Sequence, residues 1–156
     1  MECPGLNNVG HQAAVGQLVR ENKLQFLGLL ETRVRQGNVQ RIQSNLLTNW
    51  SWFEDYSGPG GRIWIAWNDL EVEVEILRVE TQLIHCKVSN RAMHTTCLMS
   101  VIYGECDHIQ RRDLWTTLCL LSEVDNEVPW CVLGDFNVVL DASEIRGRIA
   151  HHQCHE

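Results

Sequence analysis

Three polar groups in this chain stand at the ends of apolar runs. Glu31 follows Leu24–Leu30, Tyr103 closes Thr96–Tyr103, and Gly134-Asp135-Phe136-Asn137 follows Val128–Leu133. An apolar run of this length bounded by turn residues reads as a buried strand. Each such strand delivers its terminal side chain to the rim of a core, where loops from distant parts of a sequence can converge. A Glu and an Asp on one rim suit a hard cation such as Mg²⁺, with waters completing its octahedron. A Tyr hydroxyl beside them can donate to a phosphate oxygen, and Asn137 can orient a water or the phosphate. The competing reading is that Glu31 and Asp135 only terminate strands and cap turns, which acidic residues often do.

Other groups carry weaker chemistry. His151, His152, Cys154 and His155 do not have zinc-site spacing and read as a frayed terminal tail. His85 alternates with apolar neighbours and is expected on the solvent face of its strand. Trp64, Trp67, Trp115 and Trp130 are expected in the core, whereas Trp50 and Trp52 share one strand face and are harder to place. Arg33 and Arg35, just past Glu31, can touch a nucleic-acid backbone or simply be solvated. Arg111 and Arg112 read as surface charge.

The elements that must position these groups follow from hydrophobic period and turn residues. Helices are expected over residues 8–22, with Ala14, Val15, Leu18 and Val19 on one face, and over 38–47, with Val39, Ile42 and Leu46 as the apolar stripe. Strands are expected over 24–30, 50–54, 62–67, 72–77, 82–88, 96–103 and 128–133, the last fully buried. Ser57-Gly-Pro-Gly-Gly61 marks a turn. Asp107 and Gln110 have capping-box spacing ahead of a helix bearing Leu114, Leu118 and Leu121. Half-buried antiparallel strands mixed with helices imply an α/β sandwich with helices outside.

The chain has 156 residues, 44% hydrophobic and 21% charged, which fits one globular domain. A net charge of −7 excludes a bulk basic footprint for nucleic acid, although a bound divalent cation can invert the local field of an acidic cleft. The seven cysteines are odd in number and lack C-x-x-C spacing. Most are expected as small buried hydrophobes in an intracellular, reducing compartment, nuclear or cytoplasmic. No apolar stretch has membrane-spanning length.

Taken in order, the motifs resemble the endonuclease/exonuclease/phosphatase superfamily, and most of all the endonuclease domain of plant LINE-type retrotransposons. The residues that carry the resemblance are Gly5-Leu6-Asn7, Leu30-Glu31-Thr32-Arg33, Gly60-Gly61-Arg62 with Trp67-Asn68, Ile102-Tyr103-Gly104 with Arg112-x-Leu114-Trp115, Gly134-Asp135-Phe136-Asn137, and Ser143-Glu144-x-Arg146-Gly147. The resemblance implies a two-sheet α/β sandwich with its C-terminal strands missing, truncated over residues 1–147, and a disordered tail at 148–156. It implies Mg²⁺- or Mn²⁺-dependent hydrolysis of a DNA phosphodiester backbone. Glu31 takes the place of the metal-binding glutamate, Tyr103 that of the tyrosine beside the scissile phosphate, Asp135 that of the residue that orients water, and Asn137 that of a phosphate-stabilising amide. The chain departs from the pattern at Met1-Glu2, where the family has Trp-Asn, so Glu2 is the candidate second metal ligand. The family's terminal Ser-Asp-His, whose histidine is central to catalysis, occurs nowhere in the sequence. Little or no nuclease activity is therefore expected of this chain alone. A non-catalytic interaction module and, less favoured, a phosphatase of the same superfamily are the alternatives.

Overall fold

The computed structural model describes residues 5–56, 62–124 and 127–138. In chain order the elements are α1 (Val9–Asn22), β1 (Phe26–Leu30), α2 (Val39–Leu46), β2 (Ser51–Glu54), β3 (Ile63–Trp67), β4 (Val72–Glu80), β5 (Leu83–Asn90), β6 (Thr95–Tyr103), α3 (Arg112–Ser122) and β7 (Trp130–Asp135). The strands form two sheets, ordered β1-β3-β2 and β4-β5-β6-β7. Every pairing is antiparallel except β6 with β7, whose parallel register requires a crossover, and α3 supplies it.

Strand alternation builds three cores. Ile63 and Ile65 of β3 meet Ile84, Cys86, Val88 and Val101 between the sheets. The opposite face of β3, Trp64 and Ala66, packs with Val39, Ile42 and Leu46 of α2 and Val19 of α1. On the far side, Leu83 and Ile102 pack with Leu114 of α3. The result is a sandwich with helices on its outer faces. Fully burying one large apolar side chain contributes about 1.5–3 kcal/mol, against about 1 kcal/mol net for a typical hydrogen bond. The zero exposure of Trp64, Ile65, Leu83 and Ile102 therefore makes packing the main determinant of strand position.

One close contact between the sheets falls at Gly28 of β1. A Cβ there would lie 2.8 Å from Val101 Cγ1, so only a glycine leaves room for the β6 side chain.

Several expectations from sequence are corrected. The buried face of α1 is Gln12, Gly16 and Val19, with Leu18 exposed. Gly16 lets α1 settle against α2, because a Cβ there would come within 3.3 Å of the Leu46 carbonyl oxygen. β4 runs on to Glu80 through an irregularity between Ile76 and Arg78, which exposes Leu77. β7 is half exposed rather than fully buried, and among the described residues it pairs on one side only. Asp107 caps the turn that precedes α3, accepting from the Ile109 and Gln110 amides at 2.8 and 3.0 Å, and the helix itself starts at Arg112. Of the described cysteines only Cys86 is buried, while Cys106, Cys119 and Cys131 are exposed. No described helix is long and apolar enough to cross a membrane. The Ser57–Gly61 turn, Glu2 and the 148–156 tail lie outside the described residues.

Candidate active site

Glu31 and Tyr103, at the ends of β1 and β6 in different sheets, are in direct contact. The Tyr103 hydroxyl donates to Glu31 Oε1. The other Glu31 oxygen faces Arg33 Nη2 at 3.5 Å. These residues line a cleft of about 640 Å³ with Arg35, Tyr56, Arg62 and Glu105. Arg62 is paired with Glu105 and also lies over the Tyr103 ring, 5.8 Å from its centroid. The cleft wall thus carries three guanidiniums against two carboxylates, although the whole chain is at −7. That local excess suits an anionic ligand.

The Tyr103 hydroxyl is pushed up to about 12, first by burial and then by the hydrogen bond to and charge of Glu31, with Arg62 opposing. It therefore remains a proton donor throughout the physiological range.

Asp135 arrives beside Tyr103 through the parallel register, in which the two residues are paired. Its Oδ1 accepts the Asn137 amide at 2.8 Å. Asn137 Nδ2 in turn donates to the Gly104 carbonyl, fixing the turn to the loop that leaves Tyr103. An amide nitrogen has two N–H groups, so one is left for further bonding. Two glycines permit this docking. Gly134 has φ +139, and a Cβ there would sit 2.0 Å from the Ile102 carbonyl oxygen; at Gly104 a Cβ would sit 2.6 Å from that of Phe136.

Backbone strain gathers here. Glu31, Arg33 and Asn137 have φ of 51, 49 and 50. A left-handed residue other than glycine costs roughly 1–3 kcal/mol and persists only when its surroundings hold it. Glu31 N donates to the Arg62 carbonyl at 2.9 Å, and Asn7 Nδ2 donates to the Arg33 carbonyl at 2.9 Å. The segment after β1 is thus clamped on both sides.

Three residues here were missed or undervalued from sequence. Arg111, read as surface charge, turns inward, and its Nη1 donates to the carbonyls of Glu105, Cys106 and Asn137 at 2.6, 3.1 and 2.8 Å. It joins the loop after Tyr103 to the turn after Asp135. Glu105 and Tyr56 had no motif to mark them. A lone arginine at a helix start gives no sequence signal of which way it points.

Two more readings change. His85 is buried, with Nδ1 2.8 Å from Ser100 Oγ and its ring edge-on to Trp130, so it faces α3's side of the sheet and not solvent. Trp115 is 42% exposed and stacks flat on Phe136, which places it at the rim of the core.

No set of three His, Cys, Asp or Glu side chains poised to hold a metal is present among the described residues. Of the two described carboxylates lining the cleft, Glu105 is paired with Arg62, which leaves Glu31 as the hard donor for a cation. Mg²⁺ takes one or two carboxylates and keeps several waters, so this donor fits Mg²⁺ or Mn²⁺ and does not resemble a soft-metal site.

No protein-family model matches the chain, and no curated protein matches it. Solved structures do match in fold. D. rerio TDP2 complexed with single-strand DNA product superposes with a TM-score of 0.62 at 16% identity, over 82% of this chain and 54% of that one. An endonuclease/exonuclease/phosphatase family protein from Bacteroides thetaiotaomicron gives 0.61 at 12%, over 83% and 54%. The endonuclease domain of TRAS1, a telomere-specific non-LTR retrotransposon, gives 0.60 at 13%, over 85% and 55%. The fold is thus the endonuclease/exonuclease/phosphatase sandwich. The chain spans a little over half the length of these structures.

Proposed function

We propose that this chain carries a divalent-metal-dependent phosphodiesterase site, descended from a DNA-nicking endonuclease of a plant LINE-type retroelement, with little or no turnover of its own. The observation that carries this reading is the Tyr103–Glu31 hydrogen bond at the mouth of a cleft whose lining is richer in arginine than in carboxylate. The order of the motifs and the fold likeness to a retrotransposon endonuclease domain support the retroelement origin.

In this reading Glu31 holds the Mg²⁺ or Mn²⁺, and Glu2 is its proposed second ligand. When bound, the ion supplies Lewis-acid neutralisation of a phosphoryl oxygen. Tyr103, whose one hydroxyl hydrogen goes to Glu31 in this structure, turns it to a phosphate oxygen once Glu31 takes the ion. Asp135 orients the attacking water. Asn137, anchored through one N–H, offers the other to the phosphate. Arg33, Arg35 and Arg62 attract the phosphodiester backbone.

The low-turnover part of the reading rests on the described cleft alone, which offers no histidine as acid–base partner. A positioned acid or base contributes roughly 10²–10⁴-fold.

The test combines Mn²⁺ binding, read by electron paramagnetic resonance, with nicking of supercoiled plasmid in Mg²⁺ or Mn²⁺. Wild type is expected to bind Mn²⁺, a Glu31→Ala, Asp135→Ala double variant is not, and neither is expected to nick measurably. Nicking by wild type that the variant lacks overturns the low-turnover part. Absence of Mn²⁺ binding at millimolar concentration overturns the metal site.

A further inference from the structure

We propose that a groove leading away from the cleft along α2 and β2 binds a single-stranded polynucleotide by base stacking, a substrate class that rests on the phosphodiesterase reading above. Three concavities lie next to one another along this face and share lining residues. The cleft at Glu31 and Tyr103 shares Gln36 and Tyr56 with a second cavity of about 450 Å³. That cavity shares Gln40 with a third, of about 500 Å³, which is floored by Trp50 and Trp52.

The lining of this path is aromatic and amide-rich. Tyr56, Trp50 and Trp52 are half-buried, so each ring is anchored in the core while part of it stays accessible. Trp52 stands edge-on to the fully buried Trp64. The Trp64 indole N–H, without a hydrogen bond of ordinary geometry, faces the Tyr56 hydroxyl, which donates to the Val34 carbonyl at 3.1 Å. Rigid rings of this kind are stacking platforms for unpaired bases, which all present a π-face. Gln40 and Asn49 are exposed beside them and supply both donors and acceptors for base edges.

Charge sets the orientation of the strand. The arginines lining these cavities all sit at the cleft end, as Arg33, Arg35 and Arg62. The middle of the groove instead carries Glu54, which accepts from Gln43 Nε2 at 3.0 Å. A carboxylate there repels phosphates, so the strand lies with its bases inward and its phosphates toward solvent. A duplex hides its bases and gains nothing from such a surface. The cleft therefore takes the backbone, and the groove takes the bases that follow.

The experiment measures fluorescence anisotropy of labelled oligothymidylates on the full chain, comparing a strand of about four nucleotides with one of about twelve. The longer strand is expected to bind more tightly by on the order of tenfold, the scale of one stacked base. Trp50→Leu and Gln40→Glu are expected to abolish that gain and leave binding of the short strand unchanged. Gln40 is exposed on α2, so its variant keeps the test valid if Trp50→Leu misfolds. The salt slope should not change in Trp50→Leu, because the groove neutralises no phosphate. It should fall by about 0.7 for each of Arg33 and Arg35 replaced by Gln. Equal affinity of wild type and both variants for the long strand overturns the groove. So does tighter binding of a duplex of the same length. Length-dependent, Gln40-sensitive binding with no affinity for the short strand and no Mn²⁺ binding would leave the groove standing and remove the phosphodiesterase reading.

Discussion

Tyr103 donates a hydrogen bond to Glu31 across 72 residues of sequence and from one sheet to the other. Each side chain is at the end of a strand whose register is fixed by buried neighbours, so the contact is a product of the sandwich and not of either loop. It raises the affinity of the phenol for its proton, and it occupies the carboxylate that a cation would claim.

Tyrosinate absorbance measures this directly. In a Tyr56→Phe background, Tyr103 should titrate near 12. Glu31→Gln should lower the value yet leave it above the ordinary 10.0, because burial is the largest cause. Arg62→Gln should raise it. The folded value lies above the unfolded one, so this proton stabilises the fold fully below pH 10.0, and the contribution is lost as pH rises through about 12.

Replacing Gly134 by Ala should destabilise the fold by more than about 2 kcal/mol, since the new methyl meets backbone at a φ that side chains avoid. Urea midpoints test this. A loss below about 0.5 kcal/mol would mean that the turn accommodates the methyl by shifting.

Arg111→Met removes one guanidinium that serves three carbonyls. Bonds from a charged donor contribute about 1.5–3 kcal/mol, and the expected loss falls in that range. Hydrogen exchange should quicken at the Asn137 amide and at Gly104. Arg111→Lys should recover only part of the protection, because an ammonium cannot reproduce the planar fork.

His85 is held below the ordinary 6.5 by burial and then by the charge of Arg78, its cross-strand partner. Its neighbours Ser100 and Trp130 are uncharged, and Ser100 Oγ already accepts the Trp130 indole N–H at 2.9 Å. The folded state therefore resists the proton that the unfolded state accepts. Stability from this group is complete above 6.5 and falls as pH drops below it toward the folded value. Chemical denaturation between about pH 7.5 and pH 5 should show that decline, and His85→Gln should flatten it.

Glu31, Tyr103 and Asp135 were legible because each closes an apolar run, and strand ends are where period and turn chemistry agree. The described strands and α-helices were visible for the same reason, but the short 3-10 turns at Gly5–Asn7 and Gln36–Asn38 were not. Facing was harder. His85 obeys the alternation of β5, yet alternation cannot distinguish a solvent face from one that α3 and Trp130 cover. Arg111 was opaque because its partners are backbone carbonyls from two separate loops, and carbonyls leave no mark in a sequence. The groove was equally hidden, since Tyr56 and Trp52 become neighbours of the cleft only once α2 is folded against β2 and β3.

The fit of Gly28 against Val101 has a consequence for chemistry at a distance. Gly28 precedes Glu31 by three residues, and Val101 precedes Tyr103 by two. The missing methyl acts as a feeler gauge: the thickness of the sandwich at that seam sets how far apart the carboxylate and the phenol stand. Gly28→Ala would insert a shim in the wall and open the Glu31–Tyr103 contact without altering any residue of the cleft.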